Sequence, residues 1–125
     1  MEAVTYRDPS VIQTINENVI PVQVKTKDPD EAARAVMRRY LQVWTPTILL
    51  ISPDGSVYHE WSGYLPPDLY AAHLLLGRGK AALKEERFDV ARQLFDEVSN
   101  LHPLSDVAPE ALYWAAVASY KGSGN

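Results

Sequence analysis

The sequence predicts a mixed α/β fold: a sheet of about three strands with helices, followed by a purely α-helical extension. Three observations carry this. The stretch "VIPVQVKT" at residues 19–26 alternates apolar and polar positions at the strand period. Two further apolar runs, Thr47–Ser52 and Val57–Trp61, flank Pro53-Asp54-Gly55 and so read as a hairpin. From Pro66 onward every apolar stripe has helical spacing.

Taken in order, Asp8-Pro9 starts a first helix, with a side-chain acceptor at the cap and a proline whose missing N–H costs nothing there. Val11, Ile12 and Ile15 give it a short apolar face. The strand Pro21–Lys25 follows, with Val22 and Val24 on one face. Asp28-Pro29-Asp30-Glu31 then combines a cap, a first-turn proline and a capping-box glutamate. The stripe Ala32/Ala33, Val36/Met37, Tyr40/Leu41 and Trp44 predicts a helix over Asp30–Val43. Thr47–Ser52 is apolar on both faces, as in a strand covered on both sides. In the second hairpin strand Val57, His59 and Trp61 share a face, and Gly63 beyond it suits a bulge or a close backbone approach.

Three helices remain. The first carries Leu69, Ala72/His73, Leu76 and Leu83, and Gly77 and Gly79 weaken it by about 1 kcal/mol each relative to alanine. The second is Phe88–Leu101, with Ala91, Leu94, Phe95 and Val98 inward. The third is Pro109–Tyr120, with Leu112, Tyr113, Ala116 and Tyr120 as its apolar stripe.

With 125 residues the chain suits one domain, or a small domain with an extension, and 46% hydrophobic and 22% charged residues indicate a globular protein. A net charge of -4 leaves no basic footprint, so nucleic acid is not an expected partner. No apolar run, Ile48–Ile51 included, approaches the length needed to span a bilayer, so no membrane partner is expected. The N-terminus has no secretion-signal pattern, which points to the cytoplasm, or to the periplasm if an upstream segment exists. The absence of cysteine excludes disulfides, thiol nucleophiles and thiolate metal sites.

Other chemistry finds little support. His59, His73 and His102 lie on different elements without a metal-ligand spacing. Glu85-Glu86 is a charged helix end, and Asp28, Asp30 and Glu31 favour a helix N-terminus through its dipole. Gly77-Arg78-Gly79 lies inside a helix and makes a poor phosphate cradle. No catalytic residue, metal or cofactor is expected.

Thr45-Pro46-Thr47, Ser52-Pro53-Asp54-Gly55 and Gly63-Tyr64 stand in the order and spacing of the C-terminal two-thirds of a thioredoxin fold. Met1-Glu2, Asp8-Pro9-Ser10-Val11 and Asn16-Glu17-Asn18-Val19-Ile20-Pro21-Val22 resemble bacterial thioredoxin-like proteins just after their C-x-x-C. The resemblance covers residues 1–76 and implies a cis Thr45–Pro46 bond in a substrate-binding loop. Trp44, Thr45, Pro46, Gly63 and Tyr64 are therefore the candidate protein- or peptide-binding residues. The first strand, first helix, second strand and redox cysteines of that family have no counterpart in the sequence.

A second resemblance, over residues 77–125, is to tetratricopeptide repeats. Leu75, Gly79, Ala91, Phe95 and Pro103 keep that spacing, while Arg78 and Ala82 depart from it. Gly79 and Ala91 would let two antiparallel helices approach closely, with Phe95 filling the seam. Together the resemblances imply a redox-inactive protein-binding or scaffold module. The rival expectation is a piece of a thiol–disulfide oxidoreductase whose C-x-x-C lies upstream of Met1.

The missing second strand would stand between Pro21–Lys25 and Thr47–Ser52, leaving two unpaired edges. Each buried, unsatisfied backbone group costs about 1–3 kcal/mol. Antiparallel closure into a three-stranded monomer is the preferred repair, and a homodimer through an unpaired strand edge is the alternative.

Overall fold

The computed structural model describes residues 4–40 and 46–123. After a short 3-10 turn at Thr5–Arg7 come α1 (Pro9–Asn18), α2 (Glu31–Tyr40), β1 (Thr47–Ile51), β2 (Val57–Ser62), α3 (Pro67–Lys84), α4 (Phe88–Leu101) and α5 (Ala108–Gly122). Asp8 caps α1 as expected, its carboxylate accepting from the amides of Ser10 and Val11. At α2 the cap is Asp30, which accepts from the Ala33 amide at 2.7 Å. Asp28 instead takes a left-handed turn, φ 49°.

The sheet is smaller than the sequence predicts. β1 and β2 form a two-stranded antiparallel hairpin, and no ladder joins Val22–Val24 to Ile48–Leu50. The expected strand Pro21–Lys25, and with it the three-stranded closure, does not form: among the described residues this stretch has no partner strand, and Ile20 is 91% and Val22 81% exposed. Alternation marks residues able to lie on a half-buried surface, but a strand exists only where a neighbouring backbone accepts its N–H groups. Pro21 supplies no N–H at all.

The hairpin turn is held by its own polar groups. Gly55 donates its N–H to the Ser52 carbonyl and Ser52 its N–H to the Ser56 carbonyl, both at 2.9 Å. The Asp54 carboxylate accepts from the hydroxyls of Ser52 and Ser56 and from the Ser56 amide. Gly55 sits at φ +91°, a conformation that favours glycine.

α3 is the spine of the molecule. Tyr70 and Leu74 join Val11, Leu50 and Trp61 in one apolar cluster. Ala72, Leu75, Leu76 and Ala82 join Phe95, Val98, Ala111 and Ala118 in a second. The single stripe read from the sequence is too narrow, because α3 is buried on several sides. Its glycines are contacts rather than flaws: a Cβ on Gly77 would come 2.0 Å from Leu50 Cδ1, and one on Gly79 2.5 Å from Phe95 Cε1.

On α5 the expected inward stripe faces out. Leu112, Tyr113 and Tyr120 are exposed, whereas Ala108, Ala111, Ala115 and Ala118 are buried. Alanines let α5 lie close to α4, and the larger residues are left on the outer face, where Tyr113 meets the Trp114 ring edge-on at 5.1 Å. Among the described residues no helix is long and apolar enough to cross a membrane.

Candidate functional site

The residues expected to bind a peptide converge in part. Gly63, at φ +91°, donates its N–H to the Pro46 carbonyl at 2.8 Å, closing the open end of the hairpin one step beyond the Thr47–Ser62 pair. Tyr64 follows immediately and is 54% exposed. Pro46 is exposed beside them. Trp44 and Thr45, and so the geometry of the Thr45–Pro46 bond, lie outside the described residues. This corner offers an exposed proline, an aromatic ring with a polar tip, and the adjacent hydroxyls of Thr47 and Ser62, which lie 3.1 Å apart. Such a set makes contacts.

The anchoring of this corner is built from the other end of the domain. The buried Thr5 hydroxyl donates to the Leu65 carbonyl at 2.6 Å, fixing the chain just past Tyr64. Trp61 stands edge-on to Tyr70, centroids 5.2 Å apart, and Tyr70 meets Tyr6 in the same manner at 5.4 Å. Burial raises the Tyr70 hydroxyl well above its ordinary pKa, with its bond to Tyr6 acting in the same direction, so it stays protonated.

The second polar constellation is one that spacing along the sequence did not reveal. His59 on β2 and His73 on α3 lie with Nε2 and Nδ1 2.9 Å apart, rings stacked at 5.1 Å. His73 Nε2 reaches the Asp106 carboxylate at 3.1 Å. On the other side Lys80 Nζ lies 3.5 Å from His59 Nδ1 and 2.8 Å from Glu110. A separate pair, His102 with Asp68 at 2.6 Å, ties the end of α4 to the start of α3.

Burial and the neighbouring charges together set its protonation. Burial pushes the His59 imidazole down to about 4, with the Lys80 ammonium, and His73 when it is protonated, acting in the same direction. Burial would raise the Glu110 carboxyl, but hydrogen bonds from Lys80 and Trp114 and the Lys80 charge outweigh it, leaving that carboxyl below its usual range. Among the described residues no three potential metal ligands cluster in a way that could hold an ion. The signal available beforehand was directional: His59 shares the inward face of β2 with Trp61, and His73 lies in the apolar stripe of α3.

Comparison with known proteins gives one family match, a thioredoxin-like domain model over residues 1–77. No curated protein and no solved structure matches the chain.

Proposed function

The chain belongs to the thioredoxin-like domain family, and we propose that it acts as a redox-inactive module that binds another protein or a peptide. Thiol–disulfide exchange needs an attacking thiolate, and the sequence contains no cysteine. The observation that carries the binding role is the corner where Gly63 closes on Pro46 and Tyr64 projects beside it. A rigid backbone turn bearing an exposed aromatic ring offers contact area at small entropic cost.

In this reading residues 1–76 supply the contact surface and residues 77–125 form a tetratricopeptide-like extension. The close fit of Gly79 to Phe95, with Ala91 fully buried in the same cluster, supports that likeness. Selection of random peptides on the folded chain tests the proposal. Selected peptides should lose binding to a Pro46→Ala/Tyr64→Ala variant whose circular dichroism is unchanged. Peptides that bind this variant as well as the parent would overturn it.

A further inference from the structure

We propose that the His59–His73 contact is a proton-operated latch: in neutral solution it fastens the β-hairpin to α3 and, through Asp106 and Lys80, to the start of α5, and proton uptake loosens it.

The directions of the hydrogen bonds are forced by their ends. Asp106, a carboxylate, only accepts, so His73 carries its proton on Nε2 and presents a bare Nδ1 to His59. His59 therefore donates from Nε2 and presents a bare Nδ1 to Lys80, whose ammonium only donates. Lys80 also donates to Glu110. With both imidazoles neutral, every link from Glu110 to Asp106 is satisfied.

One more proton has two places to go. On His59 Nδ1 it faces the Lys80 ammonium, and on His73 Nδ1 it faces the His59 N–H. Either place sets donor against donor. A second proton leaves both rings cationic and the ring-to-ring hydrogen bond without an acceptor.

The groups facing His59 are Lys80 and His73 from α3, Glu110 from α5 and Asp106 from the loop before it. Its partner across β1 is Leu50, which carries no charge. Burial opposes a further proton on His59 most, the Lys80 ammonium and a proton taken up by His73 add to the opposition, and the two carboxylates partly offset them.

The sign of the effect follows. The His59 imidazole titrates near 4 when latched and near 6.5 when released, so the released or unfolded chain binds more protons between those values. The contribution of His59 to stability is full above pH 6.5, falls as pH drops through the window, and levels off below 4.

Urea unfolding between pH 7.5 and 4 tests this, paired with imidazole nitrogen NMR on the unaltered protein. The parent should lose up to about tenfold in its folding constant per pH unit below 6.5, the limit for one proton. His59→Gln should flatten that slope, and His102→Gln, outside the chain of bonds, should keep it. At pH 7.5 both His59 and His73 should show the Nε2–H tautomer. An Nδ1–H tautomer on either ring, or an undiminished slope in a folded His59→Gln protein, would overturn the latch. Should His59→Gln fail to fold, the tautomers alone decide it.

Discussion

Gly79 lies against the Phe95 ring so closely that a Cβ added to it would stand 2.5 Å from Cε1, 2.8 Å from Cδ1 and 2.9 Å from Cζ. Phe95 is fully buried, and no flexible end of a side chain is available to yield. Glycine within a helix costs about 1 kcal/mol relative to alanine, whereas overpacking a core costs about 1–3 kcal/mol. Gly79→Ala should therefore destabilise the chain despite its better helix propensity. Adding Phe95→Leu should recover part of the loss, and chemical denaturation of the single and double variants measures both.

Gly77 makes the corresponding contact with the hairpin. A Cβ there meets Leu50 Cδ1 at 2.0 Å and His59 Cβ at 3.0 Å. The leucine tip can rotate away, but the His59 Cβ moves only with the β2 backbone. Gly77→Ala should push the hairpin off α3 and lower stability by about 1–3 kcal/mol. Because the clash is shared, Gly77→Ala and Leu50→Ala should prove non-additive in a double-mutant cycle.

Asp54 holds the hairpin turn as an anion. Hydrogen bonds from the Ser52 and Ser56 hydroxyls and from the Ser56 amide keep its carboxyl well below the usual carboxylate range. Because the folded value is depressed, its contribution is present above the ordinary value of 3.8 and is lost as pH falls through the folded value. Asp54→Ala should lower the thermal midpoint at pH 7, and the gap from the parent should shrink as pH drops below 3.8. This window lies under that of His59, so the two effects separate.

Disulfide reduction offers a simple check on the proposed lack of redox chemistry. Insulin precipitation in the presence of dithiothreitol should proceed at the rate of a protein-free control. Added protein that accelerates it would require a catalytic group other than a thiol.

Much of the helical architecture is legible in the sequence. Phe88–Leu101 occupies the predicted span because its Ala91, Leu94, Phe95 and Val98 stripe both sets the period and packs on α3. The face of α5 that its hydrophobicity points to is not the buried one, and the cause is physical: Leu112, Tyr113 and Tyr120 are the more hydrophobic residues, yet close helix approach favours Ala111, Ala115 and Ala118. The third strand failed because alternation at Ile20, Val22 and Val24 says nothing about whether a partner edge is present. Motif order singles out Pro46, Gly63 and Tyr64, and in the fold the Gly63 N–H meets the Pro46 carbonyl with the exposed Tyr64 next in the chain. The His59–His73 pair was not, since it depends on how the hairpin sits on α3, a relationship spanning 14 residues that no local spacing encodes.

The most direct test is an amide-resolved NMR titration of a selected peptide into the labelled chain. Perturbations should centre on Thr47, Ser62, Gly63 and Tyr64, and Tyr64→Ala should weaken binding by at least about tenfold, or about 1.4 kcal/mol. Perturbations confined to α4 or α5, with affinity unchanged in Tyr64→Ala, would contradict the assignment of the Pro46–Gly63 corner as the binding surface.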